Sequence, residues 1–217
     1  MAQIAEELLL LLLDNAAARP ALDRHRRERV LAGAVLLDLA YACRIRPAAA
    51  DEPEGRLIAL VGPDLDDPVL APAWQLVTRR PLRPDAAIAK LKRHTEELLL
   101  ARLAATGEIT PTKAKHGIAI ERSWPIADRT RVDRARAEVL ATLFDGHAPT
   151  PTAAGVISLL HAVDGLGALL SLNDRGWRWV HDRASEIAGG DWVGSDAAPL
   201  ADMNLAITAS AVRPALV

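Results

Sequence analysis

Aromatic side chains are scarce: one Tyr, one Phe and five Trp make up 3% of the 217 residues. The apolar half of the chain is therefore mostly Ala, Leu, Val and Ile. Ala and Leu favour helix, which predicts a mostly α fold. A single cysteine, Cys43, excludes an intramolecular disulfide framework and any all-Cys metal site. Cys43 itself reads as a small buried hydrophobe. Long apolar runs are missing too. The longest is the six leucines Leu8–Leu13, where a membrane-spanning helix needs about 20 apolar residues. Glu6 and Glu7 precede this run, where a signal peptide needs basic residues. These features predict a cytoplasmic protein that meets a membrane only from outside. Net charge is nearly absent as well, at −2, which argues against a uniformly basic nucleic-acid binder.

Catalytic motifs are also missing. There is no Gly-rich phosphate loop and no His-Glu-x-x-His, and no serine sits in a nucleophile elbow. The six histidines are scattered. His161, between Leu159-Leu160 and Ala162-Val163, reads as a hydrogen-bonded histidine near the core. Asp64, Asp66 and Asp67 read as a solvated acidic turn before a helix rather than a paired-carboxylate site. No enzyme activity, cofactor or metal is expected.

What is present is helical periodicity. Met1–Leu13 is apolar nearly all round after Glu7 and predicts a buried core helix. Asn15 and Pro20 end it, and Ala21–Arg29 reads as a charged link. Val30–Ala42 is the second helix. Arg44–Arg46 and Arg56–Val61 read as short strands, and Val69–Val77 as a short helix. Asp85 is the expected N-cap of a long helix reaching Thr106. Glu108–Thr110 then reads as strand, Pro111–Lys115 as turn and Gly117–Glu121 as strand. Helices follow at Arg129–Leu143, from Thr152 to near Asp164, at Asp174–Ile187 and at Asp202–Val212. The expectation is a single compact helical domain over residues 1–217, built round a buried helix bundle with two small β-hairpins.

Charge is unevenly placed. Arg79–Arg93 holds six basic residues against Asp85, and Lys113–Arg136 holds seven against three acids. Asp51–Asp67 holds six acids against Arg56. A near-neutral chain can thus carry a basic face that attracts anionic lipid headgroups. Around Lys113–Pro125, basic residues alternate with Ile118, Ile120 and Trp124, and Trp favours membrane interfaces. The competing reading folds Trp124 back onto the core beside Pro125.

In order along the chain stand Glu6-Glu7 with Leu8–Leu13, Leu31–Ala40 running into Arg44-Ile45, and Asp66-Asp67-Pro68-Val69-Leu70. Then come the Gly107-Glu108-Ile109 junction, Arg122-Ser123-Trp124-Pro125, Ile157–Asp164 and Asp191-Trp192-Val193-Gly194. This ordered set resembles the Golgi phosphoprotein 3 family, including its bacterial members, over nearly the whole chain. The resemblance implies a helical domain that binds membranes peripherally. It implies an anionic-headgroup pocket, for phosphatidylinositol 4-phosphate in eukaryotic members, and a hairpin that enters the bilayer, here about Thr110–Trp124. It also implies an adaptor role toward membrane-enzyme clients. The eukaryotic pocket uses a Trp before the second helix, an Arg near its start and two basic residues on the central helix. Those positions fall near Asp23, Ala32, Arg93 and Glu96, of which only Arg93 matches in charge.

The candidate headgroup contacts are Arg26, Arg27, Lys90 and Arg93, with Ile118, Ile120 and Trp124 as membrane contacts. The expected partner is an anionic phospholipid surface on the inner face of the membrane, with no nucleic acid, and a homo-oligomer is compatible with the sequence. Two other readings stay open. One is a winged-helix-like transcriptional regulator, since helix, strand, turn, strand also fits that unit. The other is a helical scaffold or adaptor without lipid binding.

Overall fold

Six consecutive leucines can be dry on every side only at the centre of a bundle. The computed structural model describes residues 3–116, 119–194 and 198–217, with side chains for all of these except 114–116, 119–121 and 174–175. In it helix α1 (Gln3–Leu13) is buried from Ile4 through Leu13. Beside it lies α2 (Arg24–Tyr41), whose Val30–Ala40 half is buried throughout. The remaining elements are β1 (Ile45–Pro47), β2 (Leu57–Ala59), α3 (Leu70–Arg79), α4 (Pro84–Ala105), β3 (Thr112–His116), β4 (Ala119–Ser123), α5 (Thr130–Phe144), α6 (Pro151–Ala162), α7 (Asp174–Gly189) and α8 (Leu200–Val212). Short 3-10 turns follow α6 at Leu166–Ala168 and α8 at Arg213–Leu216.

Helices α4, α5 and α6 pack round α1, while α4, α6 and α8 pack round α2. The fold is therefore mostly α with two small antiparallel hairpins. Two glycines permit the closest helix contacts. A Cβ on Gly155 of α6 would lie 3.1 Å from Ile4 of α1, and one on Gly33 of α2 would lie 3.0 Å from Leu159 of α6.

Buried charge holds the bundle in register. Asp38, inside α2, accepts the amides of Ile4 at 2.8 Å and Ala5 at 3.0 Å. It thereby caps α1 from another helix, satisfying donors that a helix start leaves open. Burial raises its pKa to about 7, against the lowering effect of those two amides. Glu6 of α1 pairs with Arg102 and Arg131, both at 2.6 Å. Arg102 also reaches Asp67 at 2.8 Å, and Arg131 reaches Glu108 at 3.2 Å. This network ties α1 to α4, α5 and the start of α3. Asp67 is thus not a solvated turn acid: it also accepts the amides of Val69 and Leu70 at 3.0 Å.

Several expected boundaries move. The second helix begins at Arg24, not Val30, because Asp23 caps it by accepting the Arg26 amide at 3.0 Å. The long helix is not capped by Asp85: its N-cap position is Arg83, and Pro84 occupies the first turn. The second hairpin reaches further than expected. The segment read as turn, Pro111–Lys115, lies mostly in β3, and Thr112 pairs with Ser123 and His116 with Ala119. Below it, Ile109 bridges Ile126, and Thr110 donates its amide to the Pro125 carbonyl at 2.9 Å. A two-stranded ribbon has solvent on both edges, so Pro111, which has no N–H to give, interrupts nothing essential. Cys43 is half-buried with φ at 51°, not a core residue. His161 is half-satisfied: its Nε2 lies 3.1 Å from Ser185 Oγ, while the buried Nδ1 has no hydrogen-bond partner among the described residues.

Candidate functional site

The start of α2, the middle of α4 and the base of the β3–β4 hairpin enclose a cavity of about 580 Å³. Helix α2 contributes Arg24, Arg27 and Glu28, which fall on one face because they are three and four residues apart. Helix α4 contributes Arg93, Glu96, Glu97 and Leu100, and the hairpin contributes Arg122 and Trp124. Capping by Asp23 is what makes the α2 face helical here. Its Oδ2 takes a hydrogen bond from Arg26 Nε at 2.5 Å, and this contact, with the Arg26 amide, holds the Asp23 carboxyl at about 2. The hairpin base is fixed by the Trp124 amide, which donates to the Ala18 carbonyl at 2.7 Å. Asn15 braces the Ala18 loop by donating to the carbonyls of Leu12 and Arg19.

Two of the four arginines are committed. Arg27 donates to Glu96 at 3.0 Å and to the Leu22 carbonyl at 2.9 Å, and its side chain is only 15% exposed. It joins α2 to α4 and lines the wall. Arg24 is held by Glu28 at 2.6 Å. The side chains of Arg93 and Arg122 are exposed and form no ion pair or hydrogen bond with any other described residue. Glu97 is the one wall carboxylate with no hydrogen bond or ion pair among the described residues. Two guanidiniums without partners among the described residues, from two different elements, thus face one cavity. A guanidinium presents a planar fork of donors that matches a phosphate's oxygens.

The structure brings Arg27, Arg93 and Trp124 to this cavity. Arg26 turns away from it: its guanidinium reaches the carbonyls of Val163 and Asp164 at 3.2 and 3.3 Å. Lys90 is exposed on α4, three residues before Arg93 and just outside the wall. Trp124 is half-buried against the core, so the fold-back reading holds for it, and it is a wall of the cavity at the hairpin base. Ile118 lies outside the described residues, as does the side chain of Ile120 in β4. Sequence reasoning missed Arg122 as a cavity residue and left Arg24 in a charged link. The signal for Arg24 was the Asp23 cap, which puts positions 24, 27 and 28 on one helical face. For Arg122 no local signal existed, because its place depends on hairpin register. Glu96, where the resemblance calls for a basic residue, is instead the ion-pair partner of Arg27.

Among the described residues no three His, Cys, Asp or Glu side chains gather as a metal site, and no helix is long and apolar enough to cross a membrane. The arrangement defines a helical-bundle protein with an arginine-lined surface cavity beside a projecting hairpin. The model of the Golgi phosphoprotein 3 (GPP34) family matches residues 4–203. The match runs from α1 into α8, and the chain belongs to that family. No curated protein matches the chain.

Proposed function

We propose that the protein binds anionic phospholipid headgroups in the cavity between α2, α4 and the hairpin, as a peripheral protein on the inner, cytoplasmic face of a membrane. The observation that carries this reading is the convergence of Arg93 and Arg122, both without partners among the described residues, on one cavity at the hairpin's base. Family membership supports it at the level of lipid class: phosphoinositide recognition is what the resemblance implies. Arg93 alone keeps the charge of the eukaryotic pocket positions, so the proposal is anionic phospholipid rather than a required 4-phosphate. The proposed role is binding; two of the three wall carboxylates are tied to arginines. Membrane-enzyme clients are the partners that an adaptor role would serve.

The test is vesicle flotation at low and high salt. The protein should float with phosphatidylcholine vesicles containing phosphatidylglycerol or phosphatidylinositol, and not with phosphatidylcholine alone. Binding should fall as the Debye length shrinks below about 8 Å. An Arg93→Glu/Arg122→Glu variant should lose it at every salt concentration. If the unmodified protein ignores anionic vesicles at low salt, or binds duplex DNA more tightly than vesicles, the reading is wrong.

A further inference from the structure

The same cavity carries a choice among headgroups, and this inference rests on the lipid-binding reading above. Arg24 and Glu28 neutralise one another at 2.6 Å, and Arg27 and Glu96 do so at 3.0 Å. Among the described lining residues what remains is Arg93, Arg122 and Glu97, a residual charge of +1. We infer that the cavity takes a singly charged polyol phosphodiester headgroup, of the inositol or glycerol type, in preference to one bearing an added phosphomonoester.

Two physical requirements lead there. The first is charge balance. One phosphodiester carries one negative charge and matches the residual +1. An added monoester brings between one and two further charges and sets them against Glu28, Glu96 and Glu97, within a few ångströms of guanidiniums already paired. The second is hydrogen bonding. A carboxylate accepts and cannot donate, so three carboxylates around one cavity favour a ligand that supplies donors. Sugar and glycerol hydroxyls are donors; monoester oxygens at neutral pH are mainly acceptors. A neutral aminophospholipid headgroup supplies donors as well, but it leaves the residual positive charge unbalanced. Arg27 adds rigidity, since its bonds to Glu96 and Leu22 fix the spacing of the α2 and α4 walls.

Vesicles matched for surface charge test this without interference from long-range attraction. Four sets are compared in a phosphatidylcholine background: phosphatidylinositol, phosphatidylglycerol, phosphatidylinositol 4-phosphate and phosphatidic acid. The expected result is binding several-fold tighter to the first two than to the last two. A Glu97→Lys variant, with a residual charge of +3, should reverse the order for phosphatidylinositol 4-phosphate while leaving thermal stability unchanged. Tighter binding of the unmodified protein to phosphatidylinositol 4-phosphate overturns the inference and leaves the lipid-binding reading standing. Equal binding to phosphatidic acid and phosphatidylinositol overturns it too, because hydroxyl donors then count for nothing. Failure to bind any of the four overturns both.

Discussion

At the scale of single residues, Asp38 shows how burial and capping oppose each other. Its carboxylate closes the N-terminus of α1, where negative charge is favoured, yet it does so without water. Burial wins, and the pKa rises from 3.8 to about 7. Between those values the folded chain holds a proton that the unfolded chain has released. Stability contributed by Asp38 is therefore full below about pH 4, falls as pH rises, and is lost above about pH 7. His161 acts in the opposite sense, since burial lowers its pKa and its contribution falls as pH drops. The comparison that isolates Asp38 is with Asp38→Asn. Urea unfolding between pH 5 and 8 should show stability falling by a few kcal/mol more in the parent than in the variant. Parallel profiles would mean that Asp38 is ionised throughout. Nothing in the sequence marks this residue: an Asp inside an apolar helix reads as a solvent-facing position until α1 is placed against it. Arg93 was legible from its charge cluster together with the resemblance, and it lies on the cavity wall, whereas Arg26 was not set aside until its bonds to Val163 and Asp164 were seen.

At the scale of elements, helix existence followed from periodicity, and most errors fell at ends and in register. The Asp23 cap was readable and would have placed Arg24 and Arg27 on a helix. The β3–β4 register was not, because alternating polar and apolar residues with Pro111 among them fit more than one pairing. Contacts between helices are equally invisible in one dimension. Gly155 falls inside the helix expected from Thr152, as it does in α6, but nothing in the sequence shows that Ile4 of α1 packs against it. Glycine costs a helix roughly 1 kcal/mol relative to Ala, so Gly155→Ala should change stability little: propensity gained offsets the methyl that Ile4 must accommodate. Gly155→Val adds two more carbons to the same contact and should cost about 1–3 kcal/mol. For a chain of this length that lowers Tm by roughly 2–12 °C. A Gly155→Val protein that melts with the parent would show that α1 and α6 do not meet as described.

At the scale of the whole molecule, basic residues of one cluster have different fates, which no count of charges distinguishes: Arg122 faces the cavity, while Arg131 and Arg136 do not. Arg131 and Arg136 of α5, and Arg129 at its N-cap, are taken up by acids. Arg131 pairs with Glu6 at 2.6 Å, and Arg136 and Arg129 pair with Asp14 at 2.8 and 3.0 Å. They are spent on acids at the two ends of α1. The α4 cluster keeps its charge outward, with Lys90 and Arg93 exposed and forming no ion pair among the described residues. A near-neutral chain thereby presents one basic side next to the hairpin. Two variants separate the roles. Lys90→Gln/Arg93→Gln should leave stability within about 0.5 kcal/mol per site. It should weaken partition onto anionic vesicles by roughly thirty-fold, at about 1 kcal/mol per basic residue. Arg131→Gln should do the reverse. It removes one of two cations from the nearly buried Glu6, at a cost of about 3 kcal/mol, and should leave the salt dependence of vesicle binding unchanged. Urea unfolding and flotation on the same preparations read both quantities. Were Arg131→Gln to keep its stability and lose vesicle binding, the α5 arginines would be facing the membrane and the assignment of the basic side to α4 would fall.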